Sequence, residues 1–222
     1  MQKQFFTEAI SLEIFETISK ASQQLGLESY VIGGFVRDYF LKRGNAKDID
    51  IVTIGSGIDL AEKVSGLLPN KPKVQVFKTY GTAMLRYKDI EIEFVGARKE
   101  SYSEESRNPE VSEGNLQDDQ NRRDFTINAL ALSLNESNFG ELLDPFNGID
   151  DLEDGILRTP LNPDITYSDD PLRMMRAIRF ASQLNFKIEK KSLAAITKNS
   201  ERLEIITRER IVDELNKVMS CE

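Results

Sequence analysis

"VIGGFVRDYFLKRGNAKDIDIV", residues 31–52, runs from the end of an apolar stretch through two adjacent glycines and ends in a β-like run carrying two aspartates. "SYVI" reads as a short buried strand, Gly33 and Gly34 as a turn, "FVRDYFLKR" as a helix stopped by Gly44, and "IDIVTI" as a second strand. Asp48 and Asp50, at i and i+2, project from one face of such a strand with Cα atoms roughly 6.6 Å apart. Like charges so placed repel unless a cation sits between them. Ile49 and Ile51 hold one alternation, Val52 and Ile54 the other, so charges in this strand need a reason. A glycine turn that opens a helix offers backbone N–H groups to an anion, and Arg37 lies one helical turn on. Polyphosphate and an oxygen-ligated ion such as Mg²⁺ belong together chemically, because the ion bridges phosphate oxygens and carboxylates.

Outward from this stretch the order is mixed. Apolar residues at helical spacing from Thr7 to Leu25, followed by Gly26, predict a helix; another is expected near Leu60 to Leu68. "KVQVFK", "TAMLRY" and "IEIEFVGA" are three β-rich runs at close intervals. The second acidic alternation, Glu91 and Glu93, lies in the last of them; which glutamate joins the aspartates depends on register. Residues 99–121 are polar, acidic and aperiodic and read as a long surface loop. "DFTINALALSL" gives a helical turn and a strand, and from Ser168 onward everything reads as helix. Gly, Pro and Asn cluster at 148–163, so domains are expected at 1–148 and 149–222.

Composition narrows the chemistry. Of 222 residues none is histidine and one is cysteine, Cys221, which removes Ser-His-Asp and Cys-His catalysis, thiolate zinc sites and intrachain disulfides. Carboxylates, Lys/Arg, hydroxyls, backbone amides and a hard metal remain. No membrane span or signal peptide is evident, so a cytoplasmic location is expected. The net charge of −8 conceals an asymmetry: residues 171–222 hold 11 Lys+Arg against 7 Asp+Glu, and residues 1–170 hold 18 against 30. The C-terminal quarter is the basic part.

In "SDDPLRMMRAIRF", Asp169, Asp170, Arg173, Arg176 and Arg179 recur at helical spacings, with Ser168 as the expected cap. Such a helix is either a salt-bridged surface or a reader of bases. An Asp carboxylate accepts from an exocyclic amino group while an Arg N–H donates to a ring nitrogen; cytosine and adenine offer that pattern, uracil and guanine the reverse.

Taken in order, "GGFVRD" with "DID", "EFVGARKESY", "RRDFTINALAL", "DPFNGIDDLEDGILRTP", "DDPLRMMRAIRFASQLNF" and "ERLEIITRERIVDEL" resemble the class II nucleotidyltransferases: tRNA nucleotidyltransferases (CCA-adding enzymes) and bacterial poly(A) polymerases. The resemblance implies an α+β fold: a nucleotidyltransferase palm, a small mixed sheet flanked by helices, followed by an all-helical neck. It implies that Gly33, Gly34 and Arg37 face the triphosphate, that Asp48 and Asp50 ligate Mg²⁺, and that Glu93 is the third carboxylate in preference to Glu91. It assigns Arg123, Asp124 and Asn128 to sugar and phosphates, and Asp170 and Arg173, with Arg176 and Arg179 nearby, to the base. Glu209, Arg210 and Glu214 are expected as neck support. Asp169 and Asn147 depart mildly from the family pattern.

The expected activity is template-independent addition of C, C and A from CTP and ATP to the 3′ end of tRNA, with release of pyrophosphate. Poly(A) polymerization, CC-only or A-only addition, and a non-catalytic nucleotide-binding fragment are the alternatives. Because the chain stops at Glu222 within a helical pattern, it reads as head and neck without body and tail, binding tRNA weakly.

Overall fold

The computed structural model describes residues 3–44, 47–103 and 106–220, with side chains described outside 100–110. Cys221 lies outside the described residues. The chain divides into two compact units: residues 1–99, 113–119 and 130–145 form the first, and residues 100–112, 120–129 and 146–222 the second.

The first unit is built on a mixed sheet. Its strands are β1 (Glu28–Ile32), β2 (Asp48–Ile54), β3 (Val74–Phe77), β4 (Thr82–Tyr87) and β5 (Ile90–Gly96), joined by the short Ala131–Ser133 and Leu142–Leu143. The order is β3-β4-β5-β2-β1, then the two short strands, seven in all. The central strand β2 pairs parallel to β5 and antiparallel to β1. Ile49, Ile51, Leu85, Ile92 and Phe94, fully or almost fully buried, share one face of the sheet. Each such side chain contributes about 1.5–3 kcal/mol on burial.

Helix α1 (Glu13–Leu25) buries Ile14, Phe15, Ile18 and Ala21. It ends where Gly26 takes φ +66° and donates its N–H to Gln23 O. The expected single helix from Thr7 is interrupted. Thr7–Ile10 is a 3₁₀ turn, and Leu12 is extended before α1 starts, although the apolar spacing runs on across the break. Helix α2 (Gly34–Phe40) stops short of Gly44. Lys42 adopts φ +53° and Arg43 N–H closes on Asp38 O, so a lysine performs the stop expected of the glycine. Helix α3 (Gly57–Leu67), capped by Ser56, lies against β4 and β5.

Residues 99–121 are not the expected aperiodic loop. Arg98–Ser103 and Ser106–Glu113 pair as a two-stranded ribbon, and Leu116–Asn121 is helical. A ribbon held by backbone hydrogen bonds needs no apolar alternation, which is why the polar sequence conceals it.

The second unit is helical. After α5 (Gly148–Asp154; α4 is the helix Leu116–Asn121) come α6 (Pro163–Asp169), α7 (Leu172–Leu184), α8 (Lys190–Asn199) and α9 (Arg208–Met219). One addition is a parallel pair of two-residue strands, Ile156–Leu157 with Lys187–Ile188, too short to leave a pattern in the sequence. Ser168 is not the cap of the arginine-rich helix: it lies inside α6, which Asn162 caps and Pro163 opens, and Pro171 occupies the N-cap position of α7. Tyr167, Met174 and Ala195 form a buried cluster, and Phe180 meets Phe125 edge-on at 5.7 Å. Among the described residues no helix is long and apolar enough to cross a membrane.

Candidate functional site

In the first unit the register of the strands assembles the acidic residues. Asp50 sits opposite Glu93 and Asp48 opposite Glu91. Paired residues share a face, so all four carboxylates project to the side opposite the buried Ile49, Ile51, Ile92 and Phe94. That face is open here: Asp48, Glu91 and Glu93 are exposed and Asp50 half-buried. Glu91 and Glu93 are thus both on the acidic face. Glu93 is the one beside Asp50, while Glu91 has Arg86 of β4 as its other neighbour.

The glycine turn leaves the sheet at the same end. Ile32 pairs with Asp50 in the antiparallel β1–β2 register, and Gly33 follows at φ +82°, a conformation glycine adopts without strain. The Gly33 N–H is committed to Leu130 O at 3.1 Å, so donors for an anion come from Gly34 onward. Arg37 is buried, 6% exposed, and grips Asp38 through Nε–Oδ1 at 2.9 Å and Nη2–Oδ2 at 3.0 Å. Its Nη2 also lies over the turn, 3.7 Å from where a Gly34 Cβ would stand.

The donor set suits a hard divalent cation. Two carboxylates from one strand, completed by substrate phosphates, are the usual protein share of such a site. Among the described residues no group of three or more Asp, Glu or Cys side chains is placed to hold a metal ion by itself.

The second unit holds the other candidates in a buried network. Asp124 Oδ2 accepts from Arg176 Nε at 2.7 Å and Nη2 at 2.6 Å, and its Oδ1 accepts from Phe125 N–H and Asn128 Nδ2, each at 2.9 Å. Burial pushes the Asp124 carboxyl up, but the Arg176 charge, the Asn128 hydrogen bond and Arg173 outweigh it and hold the group below the usual carboxylate range. The Asp124 charge in turn raises Arg176. Arg173, buried, donates Nη2 to Arg122 O at 2.6 Å and Nη1 to Thr166 O at 3.4 Å. Asp170, half-buried in the extended link between α6 and α7, accepts the Leu172 N–H at 3.2 Å. Arg179 meets the buried Glu214 of α9 at 3.0 Å and stacks over Phe180, so Glu214 ties α7 to α9. Arg123 is half-buried with its N–H on Gln120 O.

A supporting layer escaped sequence reading. Asp151 accepts from Thr126 Oγ1 at 2.6 Å and from Arg158 Nε at 3.1 Å, and Thr126 N–H reaches Arg158 O. Gln120 Nε2 bonds Ala129 O at 2.7 Å. These bonds fix the 120–129 segment that carries Asp124 and Asn128. Asp151 stands in an acidic run whose members look alike, and only burial singles it out.

Comparison with known proteins places these features in a family. Residues 29–158 match the model described as the poly A polymerase head domain, and residues 185–222 that of the probable RNA and SrmB-binding site of polymerase A. A CCA-adding enzyme of Enterococcus faecalis is 40% identical over 196 residues, covering 87% of this chain and 46% of that protein. An A-adding tRNA nucleotidyltransferase of Aquifex aeolicus is 37% identical over 192 residues, covering 85% of this chain and 23% of that protein. The solved complex of a CCA-adding enzyme with CTP superimposes with a TM-score of 0.85 at 33% identity, covering all of this chain and 51% of that one. The chain thus spans about half or less of the length of these relatives.

Proposed function

Because the chain belongs to the poly A polymerase head-domain family of nucleotidyltransferases, we propose that it is the part of a tRNA nucleotidyltransferase that binds CTP and ATP and transfers their nucleotides to an RNA 3′ end. Enzymes of this family generally use divalent metal ions. The observation that carries the reading is the parallel β2–β5 register, which sets Asp50 beside Glu93 on an open face at the end where the glycine turn leaves the sheet.

Asp48 and Asp50 would hold the ion, which we assign as Mg²⁺; bound there, it would supply charge neutralization and Lewis acidity at the phosphates. The glycine turn, from the Gly34 N–H onward, and Arg37 orient the triphosphate. The RNA 3′-oxygen bonds to the α-phosphorus, the bond from that phosphorus to the bridging oxygen breaks, and pyrophosphate leaves with the electron pair. The hydroxyl proton passes to the carboxylate row, Glu93 included; with no histidine in the chain, carboxylates are the available bases.

Nucleotide choice belongs to the second unit. Asp170 accepts from the exocyclic amino group and Arg173 donates to the ring nitrogen, favouring cytosine and adenine. Two hydrogen bonds to carbonyls keep the guanidinium fixed, and Arg176 acts through Asp124, whose segment, with Arg123 and Asn128, serves sugar and phosphates. Arg179 supports this helix from Glu214. The site of action is the cytoplasm. CCA addition, CC-only addition and A-only addition all suit the relatives. To test the reading, tRNA lacking its 3′ terminus is incubated with the chain, Mg²⁺ and each labelled nucleoside triphosphate in turn. Entry of C and A, of C alone or of A alone, is expected. UTP entering as readily as CTP would sink the base-reading pair.

A further inference from the structure

The open face of the first unit does not end at its carboxylates. Across β4 and the edge strand β3 the same register continues: Glu93 pairs with Met84, and Met84 with Gln75; Glu91 pairs with Arg86; Val95 pairs with Thr82, and Thr82 with Phe77. The face therefore runs from Asp50 through Glu93 and Met84 to Gln75, three strand spacings or about 14 Å. Its chemistry changes along the way. Residues 69–88 contain five Lys or Arg and no Asp or Glu, within a stretch, 1–170, that is otherwise strongly acidic. Phe77 is 43% exposed and Tyr80, in the 3₁₀ turn between the strands, 72%; Lys78 is exposed in that same turn, and Lys73 and Arg86 are exposed toward the other end of β3 and β4.

Cations interleaved with exposed aromatic rings suit a single strand of nucleic acid, whose phosphates take the charges while its bases stack on the rings. We propose that this β3–β4 margin is the docking track for the single-stranded RNA end that the carboxylates extend, with Arg86, Lys73 and Lys78 on phosphates and Phe77 and Tyr80 under bases. The proposal rests on the nucleotidyl-transfer reading for the identity of the RNA. Double-stranded RNA fits less well, because its stacked bases offer the rings no face. The competing roles are ordinary ones: Arg86 neutralizing Glu91 across the strands, and lysines guarding a sheet edge against pairing with another chain.

The test uses the whole chain and a short fluorescein-labelled single-stranded RNA ending in CC, with binding followed by anisotropy over a range of salt. For Phe77→Ala with Tyr80→Ala, the RNA Kd is expected to rise about fivefold or more while CTP affinity stays unchanged. For Arg86→Ala, Lys73→Ala and Lys78→Ala together, the salt dependence of binding is expected to flatten by about one for each phosphate left without its cation. RNA affinity and salt slope unchanged in both variants overturn the proposal, as does a wild-type chain that binds no RNA. Self-association of the lysine variant with unchanged RNA affinity overturns it too, in favour of edge protection. Nucleotide transfer by the wild type is measured alongside. If transfer fails while RNA binding still depends on these residues, the function reading falls and the track stands.

Discussion

The Asp124 carboxylate keeps its charge inside the second unit because four N–H donors meet it, two of them from Arg176. Asp124→Asn leaves a half-buried guanidinium without its counter-charge, and a loss of roughly 3 kcal/mol is expected, at the low end for a broken buried pair because Arg176 keeps a third of its side chain in water. A depressed carboxyl stabilizes the fold above its unfolded pKa, and that contribution is lost as pH falls through the lower folded value. Urea unfolding of wild type and variant at neutral pH and below about pH 4 is expected to show a gap that narrows on acidification; a constant gap would contradict the pairing. At the other end of the chemistry, Asp48→Ala is expected to cut nucleotide transfer about a hundredfold or more, with the fold intact by circular dichroism. Retention of transfer at wild-type rates would remove Asp48 from the metal site. The aspartates were legible because i and i+2 fixes a shared face in any strand. The partner of Arg176 was not, since Asp124 lies 52 positions away and only folding chooses it. Periodicity therefore gave the spacing of the arginines but not their work: each is held by groups on another segment, carbonyls for Arg173, Asp124 for Arg176 and Glu214 for Arg179.

Among the elements, the turn from β2 into α3 shows how closely the backbone must approach. A Cβ on Gly96 would stand 2.6 Å from Gly55 O, and one on Gly57 would stand 2.9 Å from the Phe94 carbonyl. Gly96→Ala is therefore expected to destabilize the first unit by about 1–3 kcal/mol in urea unfolding, because backbone atoms cannot swing aside as a side chain can. No loss would mean that β5 and the turn leave room for a methyl group. The five principal strands and α3 were legible because each carries its own apolar alternation or period. Elements held by other means were not. The ribbon of 98–103 and 106–113 has no apolar alternation in its sequence to announce it, the stop at Lys42 uses a residue not typical of left-handed backbone, and the break at Pro171 lies within one continuous helical spacing. That break leaves Asp170 extended between the two helices, and its carboxylate, the group proposed to read the base, accepts the Leu172 N–H.

On the scale of the molecule, the two units carry different kinds of group: carboxylates and a glycine turn in the first, arginines held in fixed orientations in the second. The charge asymmetry of the sequence follows the same division of labour, with its basic excess in residues 171–222. Family membership was legible because the motifs keep their order along the chain, and what the motifs omit, the Asp151 and Gln120 bonds beneath the 120–129 segment, is scaffolding that many sequences supply in different ways. The central claim is that this chain handles nucleotides by metal and selects them by base. Calorimetric titration of the chain with CTP, ATP, UTP and GTP in the presence of Mg²⁺ tests it most directly. CTP, ATP or both are expected to bind about tenfold or more tightly than UTP and GTP, since an unmatched base leaves buried polar groups unpaired; equal affinities for all four, or no binding of any, would contradict the account.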